Sequence, residues 1–324
     1  GGRNIISGIN ADGVRISGSN TNRNEILGNC IGTDVNGTAA LANTYAGIYI
    51  SSAAQYNKVG NSTAGGRNVI SGNGNYGIYI NGTSTSRNDI LGNYIGVDIT
   101  GTAALGNVLD GVYICDSAQY NRIGDGTAGG RNIISGNNYN GITITGTDTS
   151  RNDILANYIG TGTGGTENLG NKRYGVKIAN FAQYTNIGPG NIVAYNGNAL
   201  YPNGIYVNGS ATLYNSISQN SLFTNYGPGI ALADGGNAAL TAPVISFADY
   251  NLTSGNTVLA GTTEPLSSVE VFLAEDPADS SGYEEGKTYC GAAAADAGGN
   301  WSATLSGLAS GKATATATLS QNTS

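Results

Sequence analysis

The chain has 324 residues, with 52 glycines, three cysteines, no histidine and no methionine, and its formal net charge is −7. The acidic balance argues against a nucleic-acid partner, because phosphate binding needs a basic surface. The missing histidine excludes Ser–His–Asp triads and zinc sites of the usual kind. No apolar run approaches the roughly 18 residues of a membrane span, and three cysteines do not form a disulfide scaffold.

A long repeat organises the first part of the chain. Its two most regular motifs recur at 64-residue intervals: GGRN[IV]ISG begins at Gly1, Gly65 and Gly129, and RN[ED]IL begins at Arg23, Arg87 and Arg151. A period this long usually contains more than one structural unit. The finer unit is G-[IV]-x-[IVL], which begins at Gly13, Gly47, Gly77, Gly111, Gly141, Gly175, Gly204 and Gly229.

Each unit contains three short segments, such as GIYI from Gly77, NDIL from Asn88 and NYIG from Asn93. Alternating, β-branched segments bounded by Gly, Asn, Ser and Thr are typical of strands. Three strands that restart in phase predict a coil in which like strands stack in parallel, with rungs about 4.8 Å apart. The pattern therefore predicts an all-β fold, with a parallel β-helix of about eight rungs over residues 1–240.

Strand alternation also predicts which side chains point inward. The first and third residues after each glycine should fill the interior: Ile48, Ile50, Ile78, Ile80, Val112, Ile114, Ile142 and Ile144. Asparagines recur on the other two strands, and each amide could bond the amides above and below it. We predict two structural ladders, Asn24, Asn57, Asn88, Asn121 and Asn152, and Asn4, Asn29, Asn68, Asn93, Asn132 and Asn157.

The outward position on the second strand changes charge from rung to rung. The row comprises Glu25, Lys58, Asp89, Arg122 and Asp153. Its carboxylates raise the alternative of a glycosidase, which needs two carboxyl groups across one sugar bond. A ladder of ion pairs that also opposes slippage by one rung is favoured instead. The nearest like acids, Asp89 and Asp153, would lie two rungs apart with Arg122 between them.

The outward row of the first strand is rich in tyrosine. Tyr49, Tyr79 and Tyr113 occupy consecutive rungs, and Tyr206 lies further along. One interpretation is cross-strand stacking on an exposed sheet. The alternative is a contact surface for glycans or for a neighbouring copy of the chain.

Asp34 and Asp98 occupy matching positions in the long loops and are weak candidates for a metal site. The third copy of this loop has Gly162 at the same position, and no D-x-D-x-D spacing is present. We therefore expect no metal ion and no cofactor. Cys30 and Cys115 would lie three rungs apart, about 14 Å, which is too far for a disulfide.

The repeat stops near Gly236, and the pattern changes from residue 241. Longer alternating segments follow: PVISFADY, TVLAG, SVEVFLAE, KTYCGAAAA, NWSATLSG and KATATATLS. Turn residues separate them at intervals that are typical of a small antiparallel sandwich. The sequence predicts a second domain over residues 241–324.

The motifs NYIGVDITGTAALGN, GVYI and NRIGDGTAGGRNIISGN and their copies resemble the right-handed parallel β-helix repeat proteins of bacterial surfaces. The resemblance covers about residues 1–240, and it is the source of the expected right-handedness. The segments SGYEEGKTYCG and KATATATLSQNTS are similar to the Ig-like module that follows such repeats, so the resemblance implies an Ig-like second domain.

The sequence leaves an enzymatic role open and favours a non-catalytic extracellular or cell-surface protein with structural or adhesive function. Residue 1 falls inside the repeat, so we expect either a trimmed chain or an edge covered by another subunit. The second case predicts head-to-tail assembly into a filament through uncapped β-helix ends. The expected partners are copies of the chain or neighbouring surface proteins. The alternative function is binding or cleavage of a polysaccharide.

Overall fold

The computed structural model describes residues 2–274, 282–306 and 311–324. In these residues the fold is all-β, with two short 3-10 helices, Ala64–Gly66 and Gly236–Ala239, and no α-helix. The first part of the chain winds into a parallel β-solenoid with three sheets, as the period of the repeat predicts. The described residues contain no helix with the length and apolar character needed to cross a membrane.

Each sheet collects one of the three strands of every turn. The first sheet comprises Val14–Ser17, Ile48–Ser51, Ile78–Asn81, Val112–Cys115, Ile142–Thr145, Val176–Ala179, Ile205–Asn208 and Ile230–Ala233. The second comprises Glu25–Ile26, Lys58–Val59, Asp89–Ile90, Arg122–Ile123, Asp153–Ile154, Asn186–Ile187 and Ser216–Ile217. The third comprises Ile5–Ile6, Cys30–Ile31, Val69–Ile70, Tyr94–Ile95, Ile133–Ile134, Tyr158–Ile159, Ile192–Ala194 and Ser221–Phe223.

These strands make seven complete turns and two strands of an eighth, close to the eight rungs predicted. The predicted interior residues form one continuous core, and all eight of them are fully buried. Burying an isoleucine side chain contributes about 1.5–3 kcal/mol, so these stacks are the main stabilising feature of the rod.

The glycine that opens each first-sheet strand is required by close backbone contact between turns. A Cβ atom on Gly77 would lie 2.6 Å from the carbonyl oxygen of Gly111, and equivalent glycines show the same contact. Real Cβ atoms do not approach backbone this closely, so a larger residue would force the turns apart. This explains why the motif begins with glycine in every turn.

Three asparagine ladders satisfy the polar groups at the corners of the rod. The two predicted ladders are confirmed, with each Nδ2 donating to the Oδ1 of the next turn at 2.8–3.2 Å. A third ladder follows the third sheet and was not predicted. Its members are Asn43, Asn73, Asn107, Asn137, Asn171, Asn196 and Asn225.

After the solenoid, the described chain forms two antiparallel sheets, consistent with a small β-sandwich, that enclose a separate core around Trp301. One sheet has the order Val244–Asn251, Asn256–Thr262, Asn300–Ser306, and the other has the order Gly286–Ala294, Ser268–Ala274, Ala313–Leu319, Asn322–Thr323. The boundary predicted at residue 240 falls between the last solenoid strand and the first strand of this sandwich. Ser281, which opens one of the quoted motifs, lies outside the described residues, as do the last residues of the predicted segments SVEVFLAE and NWSATLSG.

The sandwich covers the end of the rod that follows the last turn. Glu285 accepts hydrogen bonds from the backbone N–H and the side chain of Asn225 at 2.8 and 2.9 Å. The hydroxyl of Thr323 accepts from the backbone N–H of Ile217 at 2.9 Å, and Glu270 accepts from that of Gln219 at 3.0 Å. In earlier turns, the equivalent N–H groups donate hydrogen bonds to the next turn. The sandwich therefore acts as a cap for this strand edge.

Candidate functional site

Four tyrosines form one cluster on the outer face of the first sheet, which we name the tyrosine face: Tyr49, Tyr76, Tyr79 and Tyr113. Tyr49 and Tyr79 are register neighbours, and their rings stack with centroids 4.9 Å apart. Tyr79 and Tyr113 are also in register but meet edge to face at 5.8 Å. The guanidinium of Arg15 lies 4.8 Å from the Tyr49 ring and extends the cluster toward the first turn.

Tyr76 belongs to this cluster although it precedes the strand. Its ring packs 4.6 Å from that of Tyr113 and 5.1 Å from that of Tyr79. Burial, helped by the nearby Asp110 carboxyl, raises the pKa of Tyr76 to about 12. Burial also raises the pKa values of Tyr79 and Tyr113, so all three phenols are kept neutral and present ring faces with hydroxyl rims.

A polar rim borders the tyrosine face. The amide of Asn81 donates to the Tyr79 hydroxyl at 3.1 Å and reaches the Asp116 carboxylate at 3.4 Å. Cys115 lies beside the same groups, with Sγ 3.1 Å from an Asp116 oxygen. Rings beside a half-buried amide and an exposed carboxylate are suited to a ligand with both apolar faces and hydroxyls.

One carboxyl group beneath this face is buried. Asp110 accepts hydrogen bonds from the Thr143 hydroxyl at 2.9 Å and from the backbone N–H of Asn140 at 3.1 Å. Burial raises the pKa of Asp110, whereas these hydrogen bonds oppose the rise. A raised pKa is a property that a general acid needs. A hydrogen-bond network with a purely structural role also explains this buried carboxyl.

The fourth predicted tyrosine, Tyr206, lies apart from the tyrosine face. Its ring stacks on Tyr174 at 4.4 Å, and Tyr174 meets Tyr201 edge to face at 5.7 Å. Thr143 and Lys177 occupy the same outward row between the two groups. The structure therefore brings Tyr49, Tyr79 and Tyr113 together and leaves Tyr206 in a second, smaller cluster.

The charged row on the second sheet is aligned in register from Glu25 to Asp153. The row forms two separate ion pairs between neighbouring turns. Lys58 lies 3.6 Å from Glu25, and Arg122 makes two hydrogen bonds of 3.1 and 3.2 Å to Asp89. Asp153 instead accepts a hydrogen bond of 2.7 Å from the amide of Asn186. These carboxylates have local partners along the rod.

The two loop aspartates accept hydrogen bonds from backbone groups of their own loops. The Asp34 carboxylate accepts from the backbone N–H groups of Thr38 and Ala39 at 2.8 and 3.0 Å, and these bonds lower its pKa. Asp98 makes the equivalent bonds to Thr102 and Ala103 and also binds the Thr100 hydroxyl. Across the described residues, no three His, Cys, Asp or Glu side chains gather into a group that could hold a metal ion.

A scan against protein-family models and a search of curated proteins find no match to this chain. Function is therefore inferred from geometry. Sequence reasoning missed Tyr76 and Tyr174, which lie one residue before the first-sheet glycine in their turns. This position recurs in the repeat, but it lies in a turn. The alternation that identifies outward side chains in a strand therefore does not apply to it.

Proposed function

We propose that the chain is a non-catalytic extracellular protein with a structural or adhesive role, in which a stiff rod presents the tyrosine face to a partner. The observation that carries this proposal is the packing of Tyr49, Tyr76, Tyr79 and Tyr113 into one group of half-buried rings on the outer face of the first sheet. Rigid aromatic side chains bind with a small loss of conformational entropy, and they are enriched where proteins contact partners.

The extracellular location rests on composition and on the resemblance to bacterial surface repeats. The Ig-like identity of the sandwich belongs to the same proposal. Its described strands form one sheet of three and one sheet of four, and a constant-type Ig domain also has sheets of three and four strands. The fourth strand pairs with the third and not with the fifth, so the topology differs from that domain and fits a related sandwich.

The partner at the tyrosine face is a glycan, a neighbouring surface protein or a second copy of the chain. Where the partner is a second copy of the chain, we place the contact at the tyrosine face and not at the end of the rod after the last turn. Head-to-tail stacking on that end would require Glu285 and Thr323 to leave Asn225 and Ile217, which would then need new acceptors.

The test replaces Tyr79 and Tyr113 by threonine in the full chain. Threonine already occupies the same row at Thr143, so the sheet accommodates it. Binding to a glycan array, and association in light scattering, should fall about tenfold or more if these rings are the contact. A matched control is Tyr158→Ile on the third sheet, where Ile133 and Ile192 are the register neighbours. Equal loss in the control, or no loss in the double variant, would contradict the proposal.

The buried Asp110 beside the tyrosine face supports one second candidate, a polysaccharide-cleaving enzyme with Asp110 as acid and Asp116 as partner. Reducing-sugar release from a panel of polysaccharides separates the two functions. The main proposal expects no release by the unmodified chain. Release that disappears in both Asp110→Asn and Asp116→Asn, with the fold retained, would establish the second candidate.

A further inference from the structure

A second regular surface runs along the corner before the second sheet, and we name it the arginine–tyrosine ladder. Its members alternate from turn to turn: Arg23, Tyr56, Arg87, Tyr120, Arg151 and Tyr184. All six have left-handed backbone, with φ between 55° and 59°. This conformation is unfavourable in a non-glycine residue, so the fold maintains the same strained corner in every turn.

Two of the arginines, Arg87 and Arg151, lie between tyrosine rings. The guanidinium carbon of Arg87 is 5.7 Å from the Tyr56 ring centroid and 5.0 Å from that of Tyr120. Arg151 repeats these distances with Tyr120 and Tyr184. Cation–π stacking of this kind restrains the guanidinium groups of Arg87 and Arg151 while leaving their N–H edges available.

These guanidinium groups are not engaged by carboxylates in the described part of the chain. The ion pairs there join Lys58 to Glu25, Arg122 to Asp89 and Lys312 to Glu284. The three ladder arginines are exposed, and two of the ladder tyrosines, Tyr56 and Tyr120, are 47% and 43% exposed. An exposed guanidinium held in a fixed plane is suited to bidentate binding of a carboxylate.

Shallow cavities recur along this ladder with the same composition. Each contains one ladder arginine, the tyrosine of the next turn and the glutamine before that tyrosine: Arg23, Gln55 and Tyr56; Arg87, Gln119 and Tyr120; Arg151, Gln183 and Tyr184. Their volumes are about 210, 380 and 270 Å³ along the chain. They repeat every two turns, or about 10 Å.

The glutamines are positioned by the backbone. The Nε2 groups of Gln55, Gln119 and Gln183 donate to the carbonyl oxygens of Ser84, Asp148 and Ala211 at 2.8–3.0 Å. This fixes each amide and leaves its Oε1 as an acceptor for a ligand hydroxyl.

We propose that the arginine–tyrosine ladder binds a linear acidic polysaccharide with a carboxylate on every second sugar. An extended chain advances by about one sugar per turn of the rod, so acidic sugars would meet the arginines and the intervening sugars would meet the tyrosine rings. The guanidinium fork fits a carboxylate, and the exposed part of each tyrosine ring contacts the C–H groups of a sugar. The Oε1 atom of the glutamine accepts a hydrogen bond from a sugar hydroxyl. This surface is separate from the tyrosine face and does not depend on its role.

Three carboxylates border this surface. Asp148 lines the second and third cavities. Glu25 and Asp89 line a further cavity with Arg23, Tyr56 and Arg87, but they are paired with Lys58 and Arg122. Asn20 occupies the position of Asp148 two repeats earlier, with similar left-handed backbone. The proposal therefore expects Asp148→Asn to strengthen binding, a direction that a loss of structure would not give.

The experiment measures binding of the full chain to hyaluronan oligosaccharides, which have a carboxylate on every second sugar, by biolayer interferometry. Polygalacturonate, with a carboxylate on every sugar, and neutral chitin oligosaccharides are the comparison ligands. Hyaluronan should bind best, and its affinity should rise as the oligosaccharide becomes long enough to span two and then three cavities. Added salt should weaken the binding.

Arg87→Gln combined with Arg151→Gln should weaken hyaluronan binding about tenfold or more, because each change removes a charge-assisted hydrogen-bond pair. Asp148→Asn should strengthen it about twofold. The matched control is Arg67→Gln combined with Arg131→Gln on the third sheet, where the guanidinium groups stack on Tyr94 and Tyr158 at 4.2 and 4.1 Å. This control should leave hyaluronan binding unchanged, with circular dichroism verifying the fold of every variant.

Equal binding of chitin or polygalacturonate oligosaccharides would overturn the proposal, as would equal loss in both double arginine variants or no loss in either. Failure of the tyrosine-face proposal is detected separately. The Tyr79 and Tyr113 threonine variant alters only the first sheet, so it should retain hyaluronan binding.

Discussion

The carboxylate of Glu285 takes the place of an asparagine at the end of the third ladder, where it accepts both the backbone N–H and the side-chain amide of Asn225. In the five preceding steps, from Asn73 to Asn196, the amide oxygen of the next turn accepts both groups. Glu285 belongs to the sandwich and is 4% exposed. A residue of the sandwich therefore supplies the hydrogen bonds that a ninth turn would supply.

Glu285→Ala should loosen the last turns of the rod. The change leaves two buried donors of Asn225 without their acceptor, which costs about 1–3 kcal/mol. Hydrogen exchange measured by mass spectrometry should become faster in peptides covering residues 221–229, while peptides from the first turns should be unaffected.

Glu284→Ala is the matched control for this change. Its carboxylate is exposed and pairs with Lys312, and exposed pairs contribute about 0–1 kcal/mol. Unchanged exchange near Asn225 in a folded Glu285→Ala chain would contradict the capping role.

The asparagine ladder of the second sheet has one weak position. Thr185 takes the place of an asparagine between Asn152 and Asn215, and its buried hydroxyl has no hydrogen-bond partner. Thr185→Asn should raise the free energy of unfolding by about 1 kcal/mol, because the new amide could bond both neighbours. Urea denaturation measures the change.

Thr149→Asn is the control, and it should have the opposite effect on stability. Thr149 is also fully buried, but its hydroxyl accepts from the backbone N–H of Ser117 at 3.1 Å. This substitution should destabilise the chain. A destabilised Thr185→Asn variant would show that the ladder position does not accept a larger side chain.

The rod could be predicted from the sequence because its signals are local and repeated. Alternation and the leading glycine identify Ile48, Ile50 and their copies as core, and regular spacing identifies the asparagine rows. The third ladder also recurs, at Asn73 and Asn107, but its members follow the strands and resemble ordinary turn residues.

The cap and the full tyrosine face could not be predicted in this way. Glu285 belongs to the sandwich and lies 60 residues from Asn225, and no local pattern links the two. Tyr76 joins the tyrosine face because the turn before Gly77 directs its ring back over the sheet. Such contacts depend on tertiary packing, which strand periodicity does not encode.

Cysteine reactivity should follow burial. Burial and a hydrogen bond to Asp116 raise the pKa of Cys115 to about 12, and Cys30 is fully buried. The thiolate is the reactive form, so both thiols should label slowly at about pH 8, and Cys290, which is partly exposed, should label first. Mass spectrometry after timed alkylation gives the order. Rapid labelling of Cys115 in the folded chain would contradict its packing beside Tyr79.

The tyrosine face should also make stability fall at alkaline pH. Burial raises the pKa of Tyr76 from its usual 10.0 to about 12, so the folded state holds a proton that the unfolded state loses earlier. The contribution of the neutral phenol is complete below pH 10.0 and is lost as the pH rises toward about 12. Tyr76→Phe cannot ionise, so its stability should fall less steeply over this range in urea denaturation. Tyr226→Phe, which alters an exposed tyrosine outside the tyrosine face, is the control. Equal slopes for Tyr76→Phe and the unmodified chain would show that the Tyr76 phenol is not held neutral by its neighbours.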